Sequence, residues 1–206
     1  KLYTEQMIGF NYSNEFTTKQ KIHSNNKTLS SLNTNISNCS LCESAKTRNS
    51  ILTGVGSKMA SIFFVLPVPN LIDDDNSTIL SGRSGDLLNK ILNNVLKIKK
   101  EDVYLSYVVK CKLINSMNPS NVEISNCKDY IQQELSIIKP KLIVTLGEDS
   151  FRYLTGNKDD FSKIRSRVLK FMDFDLISTF HTNDLLKNPS LKKEAHQDFL
   201  LIKSFL

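Results

Sequence analysis

The residues best equipped for chemistry in this sequence are its four cysteines, Cys39, Cys42, Cys111 and Cys127. The first pair reads Cys-x2-Cys, so two thiols three positions apart can chelate one centre from a single turn. Cys111 follows after 68 intervening residues, and Cys127 after fifteen more. The opening segment, Lys1 to Phe10, has no small-residue cleavage site behind an apolar stretch, so no export signal is expected and structural disulfides are disfavoured. Four thiolates from two distant segments suit a 4Fe–4S cluster or a structural zinc ion. The usual zinc pattern carries two Cys-x2-Cys knuckles, and only one is present here. Cys111 is expected where a strand ends. Cys127 is expected near the start of a helix, whose N-terminal dipole favours a thiolate.

The elements that must hold these residues are legible from apolar patterning. Ala60–Leu66 is a short continuous apolar run, which suits a strand covered on both faces. It stops at Pro67-Val68-Pro69-Asn70, and Asp73 to Ser77 reads as a polar loop. Gly82-Arg83-Ser84-Gly85 shapes a turn into a helix with Leu87, Leu88, Ile91, Leu92, Val95 and Leu96 on one face. Val103–Val109 is a second strand, 122–138 a long helix ended by Pro140, and Lys141–Leu146 a third strand. Gly147 turns the chain into a short helix through Phe151 and Leu154. Two extended runs, Val168–Met172 and Leu176–Phe180, precede a last amphipathic helix carrying Ala195, Phe199 and Ile202. Strands alternating with helices predict a three-layer α/β/α sandwich around a mainly parallel central sheet. Ligands in such sheets bind beyond the carboxyl ends of the strands.

Residues 1–38 differ from the rest. Between Asn11 and Asn38 the chain is mostly Asn, Ser, Thr and Lys without periodicity, which predicts a flexible or irregular arm before one folded domain at 39–206. No apolar run is long enough to span a membrane, and a cytoplasmic monomer is the expectation. The net charge of +6 gives mild support to a polyanionic partner, although Lys is spread through the whole chain.

The order of landmarks is more specific than any one of them. Cys39-Ser-Leu-Cys42 is followed by Arg48, Gly54-Val-Gly56, an apolar strand and the acidic segment at Asp73 and Asp74. Then come Gly82-Arg83-Ser84-Gly85, the strand leading to Cys111, and Cys127. Lys139-Pro140-Lys-Leu-Ile-Val-Thr-Leu-Gly147 and His181 with Leu185-Leu186-Lys187 complete the series. From about Cys39 to the C-terminus this resembles the family 4 uracil-DNA glycosylases, the iron–sulfur branch of that superfamily. The resemblance implies a 4Fe–4S cluster on the four cysteines, DNA as partner, and base-excision repair by hydrolysis of the N-glycosidic bond of a flipped base. It assigns Asp73 or Asp74 to water and the cationic sugar, and His181 to the departing base. It makes Leu185 the wedge that fills the gap left by that base, and Lys187 a basic contact. It allows the amides of Gly82 to Gly85 to hold phosphate.

The base pocket departs from the family. The family's Gly-Glu-Ala-Pro-Gly reads Leu66-Pro67-Val68-Pro69-Asn70 here, so Pro67 stands at the acidic position. Leu80 stands for a Phe that stacks on the base. Tyr107 stands for an Asn that reads the uracil edge, and a phenol cannot copy an amide's paired donor and acceptor. Ordinary uracil specificity therefore does not follow from the resemblance. A non-catalytic, cluster-bearing DNA-binding protein is the alternative reading.

Overall fold

The computed structural model describes residues 28–114 and 118–206. Six strands form one mixed sheet: β1 (Val55–Gly56), β2 (Ile62–Leu66), β3 (Tyr104–Tyr107), β4 (Leu142–Leu146), β5 (Leu169–Phe171) and β6 (Phe174–Thr179). Their spatial order is β1-β3-β2-β4-β6-β5. The four central strands are parallel, and the short edge strands β1 and β5 pair antiparallel with β3 and β6.

Strand periodicity divides the core. Ile62, Phe64 and Leu66 of β2 face one way, with Leu142, Val144 and Leu146 of β4 beside them. They pack on Leu88 of α3 (Gly82–Ile91), Leu92 and Leu96 of its π-helical extension, and Phe199 and Ile202 of α8 (Lys192–Lys203). Phe63, Val65 and Ile143 face the other way, onto Ile131 and Leu135 of α4 (Asn121–Ile138) and Phe151 and Leu154 of α5 (Glu148–Thr155). Both faces of the sheet are covered, so the central strands are apolar throughout.

Two of the expected irregular segments are helices. The last part of the predicted arm forms α1 (Leu29–Ser37), capped by Thr28, with Leu29, Leu32 and Ile36 buried. These residues recur at helical spacing, but only three apolar positions rise from a polar background, so the pattern is weak in sequence. The rest of the predicted arm lies outside the described residues. The predicted polar loop at 73–77 is largely α2 (Leu71–Asn76). Asn70 and Asp73 form its capping box: the Asn70 side chain accepts from the Asp73 amide at 3.0 Å, and Asp73 accepts from the Asn70 amide at 3.2 Å. The predicted turn at Gly82–Gly85 is the first turn of α3.

Candidate functional site

The four cysteines are all free and lie near one another. The Cys42 and Cys39 thiols interact electrostatically with that of Cys111, and those of Cys111 and Cys42 with that of Cys127. Around them the groups that reach the sulfurs are donors. The backbone amides of Ala45 and Ser44 serve Cys42, and the amide of Lys110 serves Cys127. One Arg48 guanidinium nitrogen donates to the Cys111 sulfur at 3.3 Å while its other donates to the Cys39 carbonyl at 2.7 Å. Tyr130 brings its hydroxyl to Cys39. A shell of donors fits thiolates, which only accept. Burial raises the Cys42 and Cys111 thiols and pushes Cys127 up to about 12, against the lowering influence of Arg48 on Cys111 and of Lys110 on Cys127. Cys127 lies in the second turn of α4, not at its start. The helix dipole fades within the first turn, so the Lys110 amide takes over the assigned role.

Two further contacts seal the two cysteine segments together: the Ser44 hydroxyl bonds to Glu123, and Asn126 donates to the Leu41 carbonyl at 2.9 Å. Behind Cys111 a buried ion pair joins Lys110 to Glu134 at 2.7 Å. Glu134 also accepts from the Ser106 hydroxyl at 2.7 Å and the Gly54 amide at 3.2 Å. Neither Lys110 nor Glu134 stood out in sequence, because nothing about an isolated Lys or Glu signals burial. Among the described residues no three His, Cys, Asp or Glu side chains close on the coordination sphere of a single ion.

At the carboxyl ends of the parallel strands lies a cavity of about 740 Å³. Every strand-end loop contributes to it: Pro67 to Leu71 and Asp73 after β2, Lys112 to Ile114 after β3, Gly147 to Asp149 after β4, and His181, Asn183, Asp184 and Lys187 after β6. Leu80 and Tyr107 line it as well. Asp73, His181, Pro67, Leu80, Tyr107 and Lys187, far apart in the chain, thus share one cavity. Asp149 and Asp184 were not singled out in sequence, and an isolated Asp after a strand carries no distinctive signal.

Asp73 is 1% exposed and its carboxylate is fully engaged. One oxygen accepts from the Ser81 amide at 2.7 Å and the Ser81 hydroxyl at 2.6 Å. The other accepts from the Asn70 amide and from the Tyr107 hydroxyl at 2.8 Å. The Tyr107 oxygen in turn accepts from the Leu80 amide at 3.1 Å, so the phenol offers the cavity its ring and has spent its hydroxyl. Burial and the neighbouring Asp73 charge raise the Tyr107 pKa, keeping it a neutral donor. Asp74 does not line the cavity. Its two oxygens accept from the Asn49 and Ser50 amides, each at 3.0 Å, and fasten the segment beyond Arg48 to α2. The Pro67 carbonyl accepts from the Val109 amide at 3.1 Å, which leaves Pro67 as an apolar wall.

His181 caps α7 (Thr182–Lys187), accepting at Nδ1 from the Asn183 amide at 3.1 Å. The proton of the neutral ring therefore sits on Nε2. Desolvation lowers the His181 pKa, overcoming the opposing influence of Asp184, Asp73 and Asp149. Gly147, at φ +90°, makes room for it: a Cβ there would stand 3.0 Å from the His181 Cβ.

Two expected DNA-binding features sit elsewhere. Leu185 is 2% exposed, in the same core cluster as Leu88 of α3, because α7 packs against α3 and turns this position inward. Ser84 and Gly85 are also inside: the Ser84 hydroxyl bonds to that of Thr182, and a Cβ on Gly85 would meet the Leu80 carbonyl at 1.9 Å. Gly85 is needed for that close approach, while Gly82 and Arg83 face solvent.

Comparison with known proteins decides the family. The model of the uracil DNA glycosylase superfamily matches residues 53–203. The chain belongs to the uracil DNA glycosylase superfamily. A type-4 uracil-DNA glycosylase of Sulfurisphaera tokodaii is 31% identical over 183 residues, covering 85% of this chain and 83% of that protein. Its counterpart from Thermotoga maritima is 30% identical over 175 residues, covering 83% of this chain and 91% of the relative. A DNA polymerase of Bacillus phage SP01 is 28% identical over 155 residues, covering 75% of this chain but 17% of the polymerase. The matched superfamily region contains the whole strand-end cavity together with Cys111 and Cys127. Cys39 and Cys42 lie before it. No helix among the described residues is long and apolar enough to cross a membrane.

Proposed function

We propose that this protein is a DNA glycosylase of base-excision repair, hydrolysing the N-glycosidic bond of a base flipped into the strand-end cavity. The observation that carries the reading is the pairing of a buried carboxylate with a neutral imidazole across one cavity. Departure of the base leaves a cationic sugar and puts negative charge on the base. The fixed charge of Asp73 favours the cation, in a cavity that screens it less than water does. The Nε2–H of His181 donates to the departing base. A cation formed before water adds needs little help from a general base, which agrees with an Asp73 whose lone pairs are committed. Gly147 leaves room for His181, and Lys187 at the rim favours a flanking phosphate.

The floor of the cavity sets the base preference. Tyr107 and Leu80 present apolar surface, and the Tyr107 hydroxyl is occupied by Asp73. Selection then rests on shape, and discrimination among bases of similar size is on the order of 10–200-fold instead of the 10⁴-fold a paired hydrogen-bonding site gives.

The cysteine spacing, with a single Cys-x2-Cys pair, favours a 4Fe–4S cluster over one zinc ion. A single zinc draws four sulfurs to about 2.3 Å from one point, whereas a cluster engages each thiolate at a separate iron. Arg48, the Lys110 amide and the Ala45 amide would then donate to cluster-bound sulfurs. When bound, the cluster supplies a cross-link between the Cys39–Cys42 segment, the loop after β3 and α4.

The test is single-turnover cleavage of duplexes carrying uracil, hypoxanthine or xanthine, using anaerobically purified protein with measured iron and sulfide. Abasic product that depends on His181 supports the reading. Salt-dependent binding with no cleavage of any duplex would replace it with the non-catalytic alternative.

A further inference from the structure

Helix α2 is inside out. Its two inward carboxylates, Asp73 and Asp74, are each 1% exposed, while its first residues, Leu71 and Ile72, are 57% and 58% exposed. Burial of Leu and Ile side chains is favourable, so apolar burial alone would turn this helix the other way. It is held by the capping box at Asn70 and by the amides of Asn49, Ser50 and Ser81 on the two carboxylates. The aliphatic side chains are thereby fixed outward, Leu71 at the cavity and Ile72 next to it in the chain. Leu71 lines the cavity, and so does Ile114, itself 43% exposed, from the loop after β3. Lys187 belongs to the same rim, as does Lys112, which is ion-paired to Asp74 at 3.7 Å. Rigid apolar projections flanked by cations at the mouth of a cavity match one occupant: a duplex opened at a single nucleotide, where apolar side chains enter the stack and cations meet the phosphates.

We infer that Leu71 and Ile72, on the outward face of α2, are the wedge that enters the DNA stack and holds the target nucleotide in the cavity, in place of the buried Leu185. The inference rests on the glycosylase reading for the identity of the cavity's guest, but the wedge itself is measured without cleavage.

The experiment uses duplexes with uracil, hypoxanthine or xanthine as target and 2-aminopurine as its neighbour, whose fluorescence rises when the stack opens. Wild type is compared with the Leu71→Ala/Ile72→Ala double variant. Met59→Ala is the control, because Met59 is 88% exposed just before β2, at the opposite end of the sheet from the cavity. Both substitutions are on the surface, so thermal melting should match wild type. Wild type and the control should raise the fluorescence; the double variant should lose most of the rise. Its single-turnover rate should drop about 10–100-fold, as expected when a few kcal/mol of unstacking goes uncompensated. A pyrene nucleotide opposite the target, which fills the gap chemically, should restore the rate. A double variant equal to wild type in fluorescence and rate overturns the wedge. So does a wild-type dimer that the double variant converts to monomer without changing the fluorescence response, which would make the lip a self-association surface. If wild type opens the stack but cleaves no target, the glycosylase reading fails, while loss of the opening in the double variant still supports the wedge. Absence of any fluorescence rise with wild type overturns the wedge outright.

Discussion

Replacing Asp73 by Asn should unfold this protein at a markedly lower temperature, and the reason lies in which atoms surround the carboxylate. Each oxygen accepts one backbone amide that cannot turn around, from Ser81 on one side and Asn70 on the other. An asparagine presents an NH2 in place of one oxygen. Whichever way it flips, that NH2 meets a fixed N–H donor. The Ser81 and Tyr107 hydroxyls can rotate to accept, but the amides cannot. One buried amide left unsatisfied costs about 1–3 kcal/mol, and loss of the charge from the remaining hydrogen bonds brings the total to about 3–5 kcal/mol. For a domain of this size each kcal/mol lowers Tm by about 2–4 °C, so the expected drop is about 6–20 °C. Calorimetric or circular-dichroism melting at neutral pH measures it. Asp184→Asn is the companion, because Asp184 also lines the cavity but is exposed, and it should melt within about 2 °C of wild type. If Asp73→Asn melted with wild type while losing glycosylase activity, the carboxylate would be free to manage water and the reasoning here would be wrong.

Removing the donor in His181→Ala should lower the single-turnover rate about 10²–10³-fold, with duplex affinity little changed. Because desolvation lowers the His181 pKa, the ring stays neutral below its ordinary 6.5, and the wild-type rate should hold through mild acid before falling. The same shift links folding to pH: below 6.5 the unfolded chain takes up a proton that the folded ring resists. Melting temperature should therefore decline as pH drops from 6.5, and less so in His181→Gln. Glu134→Gln strands the Lys110 ammonium, which is 1% exposed, and should cost about 3–5 kcal/mol in thermal melts. Lys110→Met/Glu134→Leu, which removes both charges, should recover much of that loss.

The strands and long helices were readable because each lies in an apolar pattern of its proper period. Ile62–Leu66 and Leu142–Leu146 are continuous runs because both their faces are covered, and α4 ends two residues before Pro140. The short helices were less readable. In α2 three acids and an asparagine look like a loop, and its helical state depends on Asn70 as cap and on distant amides that donate to its carboxylates. In α1 the three apolar residues gain their meaning from Tyr130 and the α4 surface they cover.

The sequence by itself determined which residue types were available: four thiols in an order that fits one centre, a histidine after the last long strand, an acidic pair after the first. Chemical identity is local, and the ordered spacing of landmarks carries the superfamily. Tertiary structure decided what each group has left to offer. It committed Asp73 to four donors and Asp74 to the segment after Arg48. It tied up the Tyr107 hydroxyl, buried Leu185, and turned Leu71 and Ile72 outward. Hydrogen-bond capacity and exposure depend on neighbours remote in the chain, and no spacing along the backbone encodes them.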